Sequence, residues 1–223
     1  MPMEVNTKIR TFQQEAIVSM AKLYSYVVAR DFGFAPNPFY GYCTLATCKP
    51  HIRKAAVIGD WVIGNGPKPL GLDNKLVFAM EVNEKLSYNQ YWNDLRFKPK
   101  KPFLEGSLKQ TYGDNIYHKE NDEWCQENSH HSHEDGTINT YNLNRDTKSD
   151  QVLISTNFYY FGGNGMKIPR PLQAKIFRNQ RNHLLIEDEK VIKNFLTLLK
   201  KSSETGLVDN PRQFQTFKRY NGL

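Results

Sequence analysis

Apolar and polar positions alternate along the chain at two spacings, one typical of strands and one typical of helices. Runs of β-branched and aromatic residues next to turn formers predict four strands, at Tyr24–Ala29, Trp61–Gly64, Leu76–Val82 and Val152–Phe161. Helical spacing with acidic residues in the first turn and lysines in the last predicts a helix at Asp188–Lys201, within segment 187–203. Strands and helices do not alternate, which predicts an α+β fold with a curved, mixed or antiparallel sheet.

The other predicted elements are short. Ser87–Leu95 is predicted as an aromatic helix, and the two prolines of Lys98–Pro102 predict an extended basic connector. Cys43–Cys48 fits a strand or a short helical turn, and both interpretations stay open. Residues 1–22 are expected to form an N-terminal extension with a short helix at Thr11–Ala21, and either Met1 or Met20 is the start of translation.

Charge divides the chain into three segments. Residues 1–103 carry 14 Lys+Arg against 8 Asp+Glu, residues 104–150 carry 4 against 10, and residues 151–223 carry 12 against 5. We therefore expect a single α+β domain over residues 23–223 that contains a polar, acidic insertion at 104–150. The basic segments favour nucleic acid or a nucleotide as the partner, because phosphates attract cationic surfaces.

Composition excludes several classes of protein. Apolar residues make up 39% of the chain, which supports a packed core, and no apolar run approaches the roughly 20 residues needed to cross a bilayer. Three cysteines without CxxC spacing favour reduced thiols. These features predict a cytoplasmic protein with no membrane partner.

The segment from Leu23 to Gly66 holds an unusual loop, rich in rings, prolines and thiols, which predicts a ligand pocket. Rings stack on a base and an amide pairs with its edge. The alternative, that these rings fill the core, stays open. The candidate base- or nucleotide-binding residues, drawn from this loop, the strand after Gly59-Asp60 and two later motifs, are Asn37, Phe39, Tyr40, Cys43, Trp61, Asn115, Tyr117, Tyr159 and Tyr160.

A basic cluster follows Cys48 directly. Positive neighbours lower the pKa of a thiol, so Cys48 is a candidate nucleophile, although a buried and inert thiol is the common alternative. The same cluster, together with the basic connector, predicts contacts to a phosphate backbone. Those candidate backbone-binding residues are Lys49, Arg53, Lys54, Lys98, Lys100 and Lys101.

Histidines concentrate in the acidic segment at His130, His131 and His133. On a strand, His131 and His133 would share one face and form a divalent-metal site with a neighbouring carboxylate. Alternatively, His130 or His131 acts as a general acid or base, with Asp114 as its orienting group. A solvated polar loop is the third interpretation. We assign no metal ligand and leave the cofactor open.

Four motifs together resemble one known family. APNPFYGYCTLATCKPHIRKAAVIGDWVIGNG, YGDNIYHK, ENSHHSHEDGT and VLISTNFYYFGG are similar to the second nucleotide-modification-associated domain family, over about Tyr24 to Gly163. The resemblance implies a role in DNA base modification in bacteria or phages. It also implies a role for Asp114, Asn115, His130 and His131, which lie in its GDNIY and SHHS motifs.

A second resemblance is architectural. The order of strands around the Gly59-Asp60 turn is similar to the opening of PUA-like barrels of the EVE type, which hold a modified base in an aromatic pocket. Two hypotheses follow. The protein is a nucleotide- or base-modifying enzyme that uses histidine chemistry, or it is a non-catalytic reader of modified bases that needs only the pocket and its basic rim.

Overall fold

The computed structural model describes residues 21–178, 182–202 and 204–222. The short helix predicted at Thr11–Ala21 lies almost wholly outside these residues. The strands, numbered along the chain, are β1 (Leu23–Val27), β2 (Cys43–Leu45), β3 (Trp61–Asn65), β4 (Lys75–Glu81), β5 (Glu84–Leu86), β6 (Tyr117–Glu120), β7 (Glu123–Gln126), β8 (Val152–Ser155), β9 (Phe158–Tyr160), β10 (Met166–Lys167), β11 (His183–Ile186) and β12 (Gly206–Leu207).

The helices are mostly short. They are α1 (Pro50–Ala55), α2 (Tyr88–Asn93), α3 (Leu108–Thr111), α4 (Thr140–Asp146), α5 (Arg170–Ile176) and α6 (Glu189–Ser202), together with 3-10 helices at Lys68–Leu70 and Leu95–Lys100. The helix predicted at Asp188–Lys201 is confirmed as α6, and the aromatic helix is confirmed as α2. Ser87 begins α2 with a reciprocal pair of hydrogen bonds to Gln90, which fixes its start.

Seven strands form one mixed sheet in the order β11-β1-β3-β4-β9-β12, with β10 also paired to β4. The pairs β1·β3 and β9·β12 are parallel and the others are antiparallel. This confirms the predicted α+β class with a mixed sheet. Within the described residues the order runs from one edge to the other without closing, so the barrel suggested by the PUA-like resemblance does not form.

Two predicted elements differ from the structure. The strand predicted at Val152–Phe161 is two strands in different sheets, because the Asn83 side chain accepts hydrogen bonds from the peptide N–H groups of Thr156 and Asn157 and holds a turn there. The predicted extended connector Lys98–Pro102 begins inside a 3-10 helix that starts after Asp94 and runs through Pro99. The open question at Cys43–Cys48 resolves as strand β2 followed by a turn.

The acidic segment 104–150 contributes to the core. Its buried residues Tyr112, Ile116, Tyr117 and Leu143 pack with Phe32, Phe34 and other apolar side chains into one cluster. Two further clusters lie on the two faces of the large sheet, one of them under α6. Burial of these side chains holds the acidic segment against the rest of the domain. It also brings residues 104–150 against the turn that contains Cys48.

Among the described residues, no helix combines the length and the apolar character that crossing a membrane requires.

Candidate functional site

A cavity of about 250 Å³ lies where the end of β1 and the loop after it meet the turn at Cys48 and the histidine segment. Its wall is aromatic and apolar on one side and cationic on the other. The lining residues central to its chemistry are Tyr26, Arg30, Phe32, Phe34, Cys48, Lys49, His130, His131, Arg145 and Tyr220.

Cys48 lies in a tight turn between β2 and α1. Its φ angle is 57° and that of Lys49 is 43°, both in the left-handed region that residues other than glycine adopt rarely and at a cost in energy. One long-range and one local hydrogen bond hold the turn: the Cys48 N–H donates to Asp146 Oδ1 at 2.9 Å, and the Cys48 carbonyl accepts from Arg53 Nε, five residues along the chain, at 2.8 Å. The turn leaves the thiol partly buried in the cavity wall.

The thiol, an imidazole and a carboxylate form a connected series. Nδ1 of His131 lies 2.9 Å from Asp146 Oδ2, and the Cys48 thiol lies close enough to the His131 ring for each side chain to shift the pKa of the other. Asp146 is fully buried, and its carboxylate also accepts from Tyr117 Oη at 3.0 Å and Arg145 Nε at 2.9 Å. Because the carboxylate engages Nδ1, Nε2 is the ring nitrogen that can exchange a proton with a reacting group. Cysteine nucleophiles are activated by an imidazole oriented in this way.

Electrostatics favour the ionised form of this pair. Burial and the charge of Asp146 would raise the pKa of the Cys48 thiol, but the hydrogen bond and charge of His131 and the charge of Arg145 outweigh them, so that pKa is lowered from its ordinary value. Burial alone would lower the pKa of His131, yet the neighbouring Asp146 carboxylate raises it. His131 and Arg145 in turn hold the pKa of Asp146 well below its usual range, despite its burial. Both pKa shifts therefore act in favour of a thiolate beside an imidazolium.

The cationic side of the cavity consists of Arg30, Lys49 and Arg145. The Arg145 Nη2 atom lies 3.9 Å from Cys48 Sγ, and the Arg30 guanidinium lies 4.1 Å from the centre of the Tyr220 ring. The Lys49 ammonium lies 4.5 Å from the centre of the Tyr26 ring. Among the residues that the structure describes, no aspartate or glutamate lines this cavity. An anionic ligand thus meets attraction on this side without carboxylate repulsion from the lining.

Tyr26 has a buried hydroxyl without a hydrogen-bond partner in the described part of the chain. Burial raises the pKa of Tyr26 well above its usual value, and the charge of the nearby Cys48 thiolate raises it further, so the hydroxyl keeps its proton. An unsatisfied buried hydroxyl costs about 1–3 kcal/mol, which a ligand in the cavity would recover.

The family model described as nucleotide modification associated domain 2 matches residues 20–218. The chain belongs to this family. No curated protein and no solved structure matches the chain. Family membership confirms the resemblance carried by the four sequence motifs and connects the chain with nucleotide modification.

In this member of the nucleotide modification associated domain 2 family, His130 and His131 differ in their chemistry. His130 Nδ1 contacts the Lys218 carbonyl, and the ring packs against Phe32, Phe34 and Tyr112 at centroid distances of 5.2, 4.8 and 5.4 Å. Burial and the charge of His131 lower the pKa of His130 to about 3. His130 is therefore a neutral ring in the cavity wall, whereas His131 contacts the thiol.

Asp114, the predicted orienting acid, lies elsewhere. Its carboxylate accepts hydrogen bonds from Thr44 Oγ1 at 2.6 Å and Tyr91 Oη at 2.9 Å, within the core and away from His131. Burial raises the pKa of Asp114 to about 6, although Lys100 opposes the shift. Asp146 occupies the position beside His131 that was predicted for Asp114. His133 is exposed and is not on a strand, so it does not share a face with His131.

The predicted base-binding residues lie outside the cavity. Phe39 and Tyr40 border a separate depression, Asn37 donates to the Tyr112 carbonyl at 2.9 Å, and Tyr117 reaches the site through its hydrogen bond to Asp146. The others are buried in the core: Cys43, Trp61, Asn115, Tyr159 and Tyr160. Their burial supports the alternative that many of these side chains fill the core.

The predicted backbone-binding residues divide into three groups. Lys49 lines the cavity, and Lys54 and Lys98 are exposed. Lys101 is partly buried, with its ammonium 3.2 Å from the centre of the Trp92 ring. Arg53 and Lys100 are fully buried and donate to oxygens inside the protein, which corrects the expectation that they contact phosphates.

Seven residues of the site were not predicted from the sequence: Tyr26, Arg30, Phe32, Phe34, Arg145, Asp146 and Tyr220. Arg145 and Asp146 end a short polar helix that carries no motif of its own. A catalytic Cys–His pair commonly has a third group that orients the imidazole, and this was the only sequence signal that pointed to an acid such as Asp146. It did not say which acidic residue the fold supplies.

Proposed function

We propose that this protein is an enzyme with a nucleophilic cysteine that transfers or hydrolyses an acyl group on a nucleotide or nucleobase. The observation that carries the proposal is the series of contacts from Cys48 through His131 to Asp146 in the wall of a cavity. Membership of the nucleotide modification associated domain 2 family supports the substrate class.

The proposed reaction has two steps. The Cys48 thiolate attacks the acyl carbon, a C–S bond forms, and the bond to the leaving group breaks as the His131 imidazolium gives its Nε2 proton to that group. Water or a second nucleophile then attacks the thioester while His131 removes its proton, which releases the acyl group and restores the thiolate–imidazolium pair. Asp146 keeps the ring oriented and stabilises its charge throughout.

Charge that develops on the acyl oxygen needs nearby donors. The Arg145 guanidinium lies 3.9 Å from the sulfur, and the Tyr26 hydroxyl, which has no partner within the described residues, belongs to a side chain that lines the same cavity. Donors fixed in this way stabilise a transition state more than they stabilise the substrate, and the loss of one such donor commonly costs about 10²–10³ in kcat.

The shape and charge of the cavity favour a nucleotide. Phe32, Phe34 and Tyr26 offer rings for stacking a base, and Arg30 and Lys49 lie where a phosphate would be neutralised. A volume of about 250 Å³ accommodates one base with part of its sugar-phosphate. A flipped nucleotide of DNA and a free nucleotide both meet this description, so the assay includes both.

The decisive experiment compares nucleosides, by mass spectrometry, from DNA and from the nucleotide pool of cells that express wild-type protein or Cys48→Ser. Cys43→Ala is the matched control, since Cys43 is a buried thiol outside the cavity that contacts Met80. We expect a changed nucleoside or nucleotide with wild type and Cys43→Ala and none with Cys48→Ser. Equal products from Cys48→Ser and wild type would refute the proposal.

A non-catalytic reader of modified bases is the second candidate function, favoured by the aromatic and cationic lining of the same cavity. A reader keeps full ligand binding in Cys48→Ser and produces no chemical change with any variant. The bacterial or phage setting and the cytoplasmic location stay predictions from the sequence.

A further inference from the structure

A second group of chemically reactive side chains lies on the β6–β7 hairpin, away from the cavity. The antiparallel register places His118 opposite Cys125 and Glu120 opposite Glu123. Alternate residues of a strand share one face, so His118, Glu120, Glu123 and Cys125 project from the same side of the hairpin. An imidazole, a thiol and a carboxylate of this group (His118, Cys125 and Glu120) have ligand atoms within 4.8 Å of one another.

The His118 ring is held in one orientation. It stacks on Trp92 with a centroid distance of 4.0 Å and an angle of 5° between the planes, and only 5% of its surface is exposed. Its Nε2 atom lies 3.3 Å from Glu120 Oε1, and its Nδ1 atom lies 4.0 Å from Glu127 Oε1. Nδ1 is buried and has no hydrogen-bond partner within the described residues.

An imidazole between two carboxylates poses a chemical problem. A neutral ring carries one N–H, so it donates to one carboxylate and presents a lone pair to the other. Either protonation or a metal ion bound to one nitrogen removes this conflict, and with a metal ion the other nitrogen keeps its N–H for the second carboxylate. Metal-bound histidines in proteins characteristically donate their second ring N–H to a carboxylate or carbonyl.

We propose that His118, Glu120 and Cys125 bind a zinc ion. Nitrogen, thiolate sulfur and carboxylate oxygen are the ligands that zinc takes in proteins, and a thiolate excludes magnesium and calcium as preferred ions. Ligand atoms around a tetrahedral zinc ion lie about 3.3–3.8 Å apart. His118 Nε2 and Glu120 Oε1 are 3.3 Å apart, and all three ligand atoms lie within 4.8 Å of one another. Glu123 or water completes the coordination, and Glu127 remains the carboxylate beside the second ring nitrogen.

The opposite face of the hairpin supports the candidate active site. Tyr117 donates to Asp146 at 3.0 Å, and Gln126 Nε2 donates to the His131 carbonyl at 3.2 Å. Zinc on the outer face would cross-link the two strands that carry these side chains. The ion thus has a structural role, and its loss weakens the support of His131 and Asp146 without removing a reacting group.

The test uses the full-length protein with zinc and cobalt ions as probes. We expect one zinc ion per chain by elemental mass spectrometry, and a thiolate-to-cobalt charge-transfer band when Co²⁺ replaces it. Cys125→Ser should abolish the band and lower zinc affinity by more than about 100-fold, measured by competition with a coloured chelator. Cys48→Ser is the matched control and should keep both the stoichiometry and the band.

Cys125 is partly exposed, so Cys125→Ser is expected to fold, and far-ultraviolet circular dichroism checks this. His118→Gln tests the second ligand, with the same loss expected. Failure of the wild type to bind zinc, or equal affinity in wild type and Cys125→Ser, would overturn the proposal. None of these outcomes decides whether Cys48 is a nucleophile, because Cys48 contributes no ligand to this group.

Discussion

Asp146 Oδ1 accepts a hydrogen bond from the peptide N–H of Cys48 at 2.9 Å, across 98 positions of the chain. The other oxygen of the same carboxylate holds His131 at 2.9 Å. One side chain therefore fixes both the backbone that carries the nucleophile and the ring that activates it. Replacing Asp146 with asparagine keeps the shape of the side chain and removes its charge, so this change tests what the charge contributes.

We predict that Asp146→Asn lowers kcat by about 10³–10⁴-fold, because an amide neither stabilises the imidazolium nor selects the correct tautomer of His131. The rate of Cys48 alkylation by iodoacetamide should fall in parallel. Measuring both on protein of unchanged circular dichroism distinguishes this effect from unfolding. An Asp146→Asn variant with wild-type turnover would remove Asp146 from the mechanism.

The pH dependence of Cys48 alkylation follows from the direction of two shifts. The pKa of Cys48 is lowered and that of His131 is raised, and both shifts favour a thiolate beside an imidazolium. We predict that alkylation is half-maximal below the ordinary thiol value of about 8.5. In His131→Ala the pH of half-maximal alkylation should rise, because burial then raises the pKa of Cys48 without the opposing effect of His131. An unchanged midpoint would contradict the contact.

Asp114→Asn tests the acid that the sequence singled out. We predict that this variant keeps turnover, because Asp114 contacts Thr44 and Tyr91 rather than His131. The pKa of Asp114 is raised to about 6, so the folded state binds its proton more tightly than the unfolded chain does. Its contribution to stability therefore falls as pH rises from about 4 to 6, and this slope should vanish in Asp114→Asn when urea unfolding is measured across that range.

Arg53→Met should destabilise the protein by about 3 kcal/mol or more, since it removes the guanidinium donors to the carbonyl oxygens of Cys48, Asp146 and Ser149. Thermal and urea unfolding measure the loss. Lys54→Met is the matched control, because this exposed neighbour carries the same charge without those contacts. A loss of nucleotide affinity in a stable Arg53→Met protein would restore the phosphate-binding role expected from sequence.

Lys49→Met should weaken nucleotide binding about 10-fold or more, which is typical of losing one charge-assisted contact to phosphate. Titration of Cys48→Ser protein with a 5′-mononucleotide and with the matching nucleoside measures the effect. The affinity for the nucleoside should change little in Lys49→Met, because the nucleoside has no phosphate for Lys49 to contact. Lys98→Met, which changes an exposed lysine outside the cavity, provides the comparison.

Periodicity was sufficient to predict the sheet strands Trp61–Asn65 and Lys75–Glu81 and the helix Glu189–Ser202, since their apolar spacing reflects burial on one face or both. It failed at Val152–Phe161, where the continuous apolar run hides a turn. That turn depends on Asn83, a residue distant in sequence, and no local pattern reports it.

The candidate site divides in the same way. Cys48 and His131 were identified from their types and neighbours, because thiols near positive charge and histidines near acids have characteristic chemistry. Asp114 was predicted on motif grounds as the acid that orients His130 or His131, whereas tertiary packing places Asp146 beside His131. Proximity in space, created by the buried contacts of Arg53 with both segments, decides which acid it is.

The residues that activate Cys48 are synthesised long after Cys48 itself. The turn at Cys48 is fixed by Arg53 and Asp146, and the cavity is completed by Tyr220, whose N–H donates to the His130 carbonyl at 2.7 Å. A nascent chain that has left the ribosome only as far as residue 100 has neither the acid nor the imidazole. Its Cys48 is an ordinary thiol, and the reactive form arises only after the segment that carries His131 and Asp146 folds onto the first strands.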